Sequence, residues 1–211
     1  MSITHRQQEG FTLPELEFLA QSEPITIVPL YRMERIELVG GPIGPFRPPQ
    51  KTSVPLWLAV QLKQASRCRI VAPNWLSADH LQKLVRKEEQ PYSRFTRLPT
   101  HYLEIAHILL TCAEDDLIEP QNIRRLLQDL REVRQGKVRQ GLALLNPLQL
   151  QMDNLSAAEV NEIRPVFRHS FDMLRQLEAL ERAATAQQHE TQPMEDMADD
   201  PFNSSSFYPS M

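Results

Sequence analysis

The chain has few cysteines and no long run of apolar residues. Only two of its 211 residues are cysteine, Cys68 and Cys112, and they form no CxxC pair. This count argues against a disulfide framework and predicts a reducing compartment. No run reaches the roughly 20 apolar residues that a membrane-spanning helix needs, and the first ten residues lack the apolar core of a secretory signal. We therefore expect a cytosolic or nuclear protein without a membrane partner.

Glycine is also scarce, and its placement argues against a phosphate-binding loop. Three of the six glycines fall within the segment GGPIG, residues 40–44. This segment lacks both the Lys-Ser/Thr pair of a P-loop and the GxGxxG spacing of dinucleotide-binding proteins. Its proline removes an N–H group that a phosphate cradle would use. The segment predicts a tight turn between strands and no bound cofactor.

The residues that carry catalysis are present but not grouped. The six histidines are scattered, no HExxH pattern occurs, and no Cys/His cluster has zinc-ligand spacing. No serine or cysteine occupies a nucleophile-elbow context. The sequence thus predicts no metal, no cofactor and no enzyme, although a hydrolase whose site assembles only in space remains an alternative. The formal net charge of −4 argues against a protein that coats DNA.

Short β-strands are predicted near the N-terminus. Thr12 and Glu15 have the spacing of a capping box that opens a short helix. The segments ITIVPLY and RIELV that follow are β-branched and partly alternating, and glycines and prolines punctuate them. We expect a small β-rich domain over residues 1–52.

The remainder predicts helices. Residues 53–182 are expected to form a helical domain, which gives an α+β fold with the β-rich domain first. Within it, Gly136 and Gly141 predict close packing or a bend in a long helix, and Pro165 predicts a kink or a break in the last helix. Residues 183–211 are polar, acidic and rich in proline and serine, which is typical of a disordered tail.

The long helix over residues 122–145 carries a row of cations on a chain that is acidic overall. They either form a cationic face for a protein partner or a phosphate backbone, or belong to a solvated face with i,i+4 ion pairs. The two tryptophans are either interface anchors or core residues. The candidate partner-interface residues are Trp57, Trp75, Arg124, Arg131, Arg134 and Lys137.

Four blocks in order carry a resemblance to a known family. They are VPLWLAVQLKQ, CRIVAPNWL, LLQDLREVRQGKVRQGL and MDNLSAAEVNEIRP. The chain resembles the eukaryotic GINS family, in particular the subunit type called partner of Sld five, number two. None of these blocks is catalytic, and no catalytic residue is carried over from the family.

The resemblance implies a non-catalytic structural subunit of a nuclear heterotetramer with three sister GINS subunits. Each would have a helical A domain and a β-rich B domain. The tetramer would join the minichromosome maintenance (MCM) helicase ring and its cell-division-cycle partner in chromosomal DNA replication, and would touch DNA only weakly or indirectly. The alternative from another class is a DNA-binding module that uses the basic helix over residues 122–145.

Overall fold

The computed structural model describes residues 10–90, 94–142 and 153–190. Two compact units divide the chain after Arg168, and the first contains all the strands. The helices are α1 Leu13–Ala20, α2 Leu56–Gln64, α3 Ala78–Glu88, α4 Tyr102–Cys112, α5 Pro120–Leu142 and α6 Ala157–Glu190, with a 3-10 turn at Glu114–Asp116. The strands are β1 Pro24–Pro29, β2 Ile36–Leu38, β3 Gly41–Ile43, β4 Thr52–Pro55 and β5 Cys68–Ile70. The predicted α+β fold, with its β-rich part first, is confirmed.

The central sheet is small and antiparallel, with the order β4–β1–β5. Ile27 on the middle strand pairs with Thr52 on one side and with Ile70 on the other. Alternate β1 residues point into the core, as period-2 side-chain geometry requires. β2 and β3 form a separate hairpin, and the glycine-rich segment supplies its turn and its second strand. The third strand of the sheet comes from residues 68–70, and the boundary predicted after residue 52 stays a prediction.

One continuous apolar core runs from the sheet into the helices. α2 contributes Leu56, Leu58, Ala59 and Leu62 to this core. The apolar composition of α2 predicted a helix that is buried on nearly all sides. This expectation was wrong at Trp57, whose side is exposed, because the core covers only the face opposite it.

The capping boxes were predicted correctly. Close packing at Gly136 and Gly141 and a break at Pro165 are not found in the described part of the chain, whereas a bend at the glycines and a kink at the proline stay predictions. At the start of α6, Ser156 N–H donates to Glu159 Oε2 at 2.8 Å and Glu159 N–H donates to Ser156 Oγ at 3.3 Å. Among the described residues, nothing lies within 4 Å of the Cβ that Gly136 or Gly141 would carry, so neither glycine serves close packing. α6 continues through Pro165 without a break.

α6 also holds the beginning of the described chain. The Asn161 side chain accepts a hydrogen bond from Phe11 N–H and donates one to the Phe11 carbonyl, both at 2.7 Å. A Cβ on Gly10, whose φ is +86°, would lie 2.5 Å from Asn161 Oδ1, so this close approach requires glycine. The helix is described as far as Glu190, and residues 191–211 of the predicted tail lie outside the described residues.

Candidate partner interface and its internal support

Arg134 on α5 lies at the centre of a buried charge cluster. Its side chain is 0% exposed. It donates to both carboxylate oxygens of Glu159, at 2.6 and 2.9 Å, and to Glu88 Oε1 at 2.7 Å. It also donates to the Asn154 carbonyl at 2.7 Å and lies 5.0 Å from the ring centroid of Phe95. One guanidinium therefore ties α5 to α3, to the start of α6 and to the loops that precede α4 and α6.

Lys137, one turn further along α5, completes this cluster. Its ammonium group pairs with Glu88 Oε2 and lies 5.4 Å from the Phe95 ring centroid. Thr96 donates to the other oxygen of Glu88 through its N–H at 2.8 Å and its hydroxyl at 2.7 Å. The Tyr102 hydroxyl donates to Glu159 at 3.0 Å. Every charged group in the cluster therefore has an opposite charge as a partner.

The pKa shifts follow from this pairing. Burial alone would raise the pKa of Glu159, but the hydrogen bonds and the charge of Arg134 outweigh it and hold that pKa below its ordinary value. For Glu88 burial is likewise outweighed, by the hydrogen bonds from Lys137 and Thr96 and by the charge of Arg134. Both carboxylates are therefore ionised at neutral pH.

Two of the predicted interface residues thus have an internal role. Arg134 is fully buried within the chain and offers no surface to a partner, so it is withdrawn from the candidate interface. Lys137 directs its charge at Glu88 and keeps only 14% of its side chain exposed. Both residues organise the helical bundle from within.

Arg124 and Arg131 lie at the surface of α5 but are already engaged. Arg124 donates to the Leu110 carbonyl at 2.9 Å and lies 3.4 Å from Glu114. Arg131 pairs with Glu162 on α6. Further along the same surface, Gln128 donates to Glu132 with i,i+4 spacing. These contacts fit a solvated helix face better than an open cationic surface.

Trp75 packs internally. It is half-buried against the core, and its ring meets Tyr102 edge to face at a centroid distance of 6.4 Å. This position fits the core-packing alternative of the sequence analysis. Whether Trp75 also meets a partner stays a prediction.

Trp57 belongs to a surface groove of about 640 Å³ between α1, α2 and α4. The ring is 38% exposed, and Phe18 on α1 is 72% exposed. The sequence analysis missed Phe18 and the α4 residues that line this groove, His107 and Ile108. Leu16 and Ala20 lie on the buried side of α1, and Phe18 lies on the opposite, exposed side. The helical spacing of Leu16 and Ala20 in the sequence was the signal that could have indicated an exposed Phe18. Exposed aromatic residues beside a concave surface are typical of protein–protein contacts.

A second groove of about 620 Å³ lies on the other side of Glu17 and His107, which line both grooves. It runs between α1, α4, α5 and the start of α6. Exposed Leu13 lines it, and so does Glu104, whose side chain is buried. We call the two the Trp57 groove and the Glu104 groove, and together they form the candidate partner interface.

In the described ranges 10–90, 94–142 and 153–190, no group of three or more His, Cys, Asp and Glu residues is arranged to hold a metal ion. Across the same part of the chain, no helix is both long and apolar enough to cross a membrane.

Comparison with known proteins identifies the family. Residues 12–71 match the family described as PSF2 N-terminal domain, and residues 75–178 match the GINS complex protein helical bundle domain. The chain belongs to the PSF2 family of GINS proteins. The "DNA replication complex GINS protein psf2" of Schizosaccharomyces pombe is 43% identical over 177 residues, which cover 84% of this chain and 96% of that protein.

More distant members of the PSF2 family also match over most of their length. The "DNA replication complex GINS protein PSF2" of Saccharomyces cerevisiae is 36% identical, covering 84% of this chain and 92% of the relative. The protein of the same name from Xenopus laevis is 35% identical, covering 77% and 90%. The two matched regions meet between residues 71 and 75, just after β5.

Proposed function

We propose that this chain is a non-catalytic structural subunit of a heterotetrameric GINS complex that serves chromosomal DNA replication in the nucleus. Its partners would be three sister GINS subunits and, in the active helicase, the MCM ring and its cell-division-cycle partner. The observation that carries the proposal is the match of both regions of the chain to this family, together with relatives named as DNA replication complex GINS proteins. The two grooves supply surface for such contacts.

Large apolar side chains are exposed on the surface of the chain, and they favour assembly with a partner. Phe11, Leu13 and Phe18 on or beside α1 are each more than half exposed, and Leu19 and Trp57 are also exposed. Phe18 and Trp57 line one groove, and exposed apolar side chains that share a surface in this way are typical of protein interfaces. A partner that covers them would gain about 25 cal/mol per Å² of apolar surface removed from water.

Co-expression with and without the sister subunits tests the proposal. Size-exclusion chromatography with light scattering should show one copy of each of four subunits eluting together. Without its sisters, we expect the chain to aggregate or unfold, since obligate subunits often lack a stable free state. A cooperative, well-folded monomer that ignores its sisters would contradict the proposal.

The internal pairing of the cations on α5 argues against the alternative, which is a DNA-binding module that uses the basic helix. Arg134 and Lys137 pair with internal carboxylates, and Arg131 pairs with Glu162. Direct phosphate contacts would produce a steep loss of DNA affinity with salt. We expect the assembled complex to show little affinity for duplex DNA and no steep salt dependence that requires this helix.

A further inference from the structure

The outer face of the central sheet carries cations beside apolar side chains. Ile27 of β1 points into the core, so Val28 faces outward. In the antiparallel register Val28 pairs with exposed Arg69 of β5. Leu30, just after β1, is exposed as well, and its N–H donates to the carbonyl of exposed Arg67 at 2.8 Å. Arg67 and Arg69 are two residues apart, so their side chains share this face with Cα atoms about 7 Å apart.

Lys51 adds a third cation at the opposite edge of the sheet. Thr52 of β4 pairs with Ile27, so the same register, continued by one residue, places exposed Lys51 beside Val28. β1 lies between Lys51 and Arg69, and since neighbouring strands are about 4.8 Å apart, their Cα atoms lie about 10 Å apart. We call this surface the cationic face, and its residues are Val28, Leu30, Lys51, Arg67 and Arg69.

The three cations of this face have no partner in the part of the chain that the structure describes. Their side chains form no ion pair and no hydrogen bond there. Asp115 is near enough for Arg69 to help lower its pKa, but the main cause of that shift is the hydrogen bond that Lys63 donates to Asp115 at 2.7 Å. Arg131 and Arg134 on α5, by contrast, each pair with a glutamate. Like charges that share a surface repel one another, so an anionic segment across the cationic face would be stabilising.

The negative charge of the chain is concentrated in its last segment. Residues 191–211 contain four acidic residues and no lysine or arginine, so this segment accounts for the whole formal net charge of −4. We call it the acidic tail, and it lies outside the described residues. Three aromatic residues follow the acidic ones, so the tail offers both carboxylates and apolar rings. The acidic residues are Glu195, Asp196, Asp199 and Asp200, and the aromatic ones are Phe202, Phe207 and Tyr208.

α6, the helix that leads to the acidic tail, starts in the direction of the sheet. The ion pairs of Glu159 with Arg134 and of Glu162 with Arg131 show that this start runs antiparallel to α5. α5 begins just after the 3-10 turn, in which Asp116 accepts an N–H of β5 at 2.8 Å. Within the first unit, α6 is therefore directed toward the β5 side of the sheet. The tail of 21 residues spans up to about 70 Å when fully extended.

We propose that the acidic tail docks on the cationic face of its own chain, where its carboxylates pair with the three cations and its aromatic rings pack on Val28 and Leu30. Because the tail is tethered, its effective concentration is on the order of millimolar, so surface ion pairs that are individually weak suffice. Docking would cover cations that otherwise attract polyanions such as nucleic acid. This inference goes beyond the proposed function, since no sister subunit takes part in the contact.

A photo-reactive phenylalanine analogue in place of Phe202 tests the docking in the full chain. It should cross-link to peptides of the same chain that contain residues 24–31 or 64–71. Mixing isotopically heavy and light chains distinguishes a contact within one chain from a contact between two copies. Because the contact rests on exposed charges, raising the salt to about 0.5 M should lower the yield about threefold or more.

The double variant Arg67→Gln with Arg69→Gln removes two charges from the cationic face. It should lower the cross-linking yield about fivefold or more, because the tail loses two of its three ion-pair partners. Lys83→Gln with Arg86→Gln is the matched control, since it removes two exposed cations from α3, and its yield should stay within about 1.5-fold of the wild type. Equal yields in the two double variants would overturn the inference.

Neutralising the tail provides a second variant that leaves the described part of the chain unaltered. Changing its four acidic residues to the corresponding amides should lower the yield as strongly as the arginine changes do. Hydrogen exchange of β1 checks that the sheet is intact in each variant, and the tail variant is decisive if the arginine variant unfolds. Cross-links to a sister subunit, to a second copy, to other peptides of this chain or to no protein would overturn the inference.

This test and the test of the proposed function fail separately. The cross-linking uses the full chain in complex with its sister subunits, or the chain alone if it does not assemble with them. A chain that fails to assemble but cross-links its tail to the sheet would refute only the proposed function. A chain that assembles without this cross-link would refute only the docking of the tail.

Discussion

Replacing Arg134 with methionine tests whether the helical bundle depends on its internal charge. The methionine keeps much of the length and apolar stem but removes every donor. Glu159 would lose both of its short guanidinium contacts, and the Asn154 carbonyl would lose a 2.7 Å hydrogen bond. Glu88 would keep Lys137 and Thr96, which limits the damage on that side.

The magnitude follows from the burial of the pair. Removing one member of a buried ion pair costs about 3–5 kcal/mol, because the other charge remains in a dry site. Since Glu159 retains Ser156 N–H and the Tyr102 hydroxyl, we expect about 4 kcal/mol for Arg134→Met. Native-state hydrogen exchange of α5 in the assembled complex should then accelerate about a thousandfold, at tenfold for each 1.4 kcal/mol.

Arg131→Met is the matched control. Arg131 lies one turn earlier on the same helix and also pairs with a glutamate on α6, but its side chain is 48% exposed. An exposed pair contributes less than about 1 kcal/mol, so exchange should change by less than about fivefold. Equal effects of the two substitutions would refute the claim that burial of Arg134 matters.

The difference in stability between wild type and Arg134→Met depends on pH, and the direction of this dependence follows from the pKa shifts. The pKa values of Glu88 and Glu159 are lowered in the folded chain, so their contribution to stability is present above the unfolded value, about 4.3, and is lost as the pH falls through the folded values. Without Arg134, protonation relieves the uncompensated charge of Glu159. The stability gap between wild type and Arg134→Met should therefore begin to narrow above the unfolded value, as Glu159 of the variant takes up a proton, and it should continue to narrow as the pH falls further.

Three further predictions concern the surface and the sheet. Trp57→Ala should weaken assembly by about 2 kcal/mol or more while leaving the exchange of core amides unchanged, and a normal affinity for the sister subunits would remove Trp57 from the interface. Asp116→Ala should destabilise β5, because Asp116 accepts Ile70 N–H at 2.8 Å and pairs with Lys63 at 2.7 Å; exchange at residues 68–70 measures this, and unchanged rates would contradict it. A maleimide should label half-buried Cys112 faster than Cys68, because burial raises the pKa of the Cys68 thiol to about 11. Cys112 lines the Trp57 groove, so assembly should protect it from the maleimide if a partner covers that groove.

Local signals predicted local structure well in this chain. Each capping box couples residues three apart, so Thr12 with Glu15 and Ser156 with Glu159 were readable from spacing alone. The short strands were equally readable, because residues 25–28 are all β-branched and glycines mark the hairpin turn. Such features depend on neighbours along the chain and need no knowledge of what packs against them.

The role of Arg134 could not be predicted in this way. Its partners Glu88 and Glu159 are 46 and 25 residues away along the chain, so a view of α5 by itself shows only another cation on a charged helix. Glu104 is the converse case, because its apolar surroundings on α4 gave no sign that it is buried without an ion pair in the described part of the chain. In both cases the role of the residue depends on the side chains that tertiary packing places around its charged group, and the local sequence does not show them.

The pair of hydrogen bonds between Asn161 and Phe11 has a consequence for the order of folding. The two residues are 150 positions apart. During synthesis at about 5–20 residues per second, residue 11 would wait roughly 8–30 s before Asn161 is made. During that interval α1 must be stabilised by its other contacts or shielded from neighbouring nascent chains. The two hydrogen bonds between Phe11 and Asn161 can form only after the start of α6 has left the ribosome.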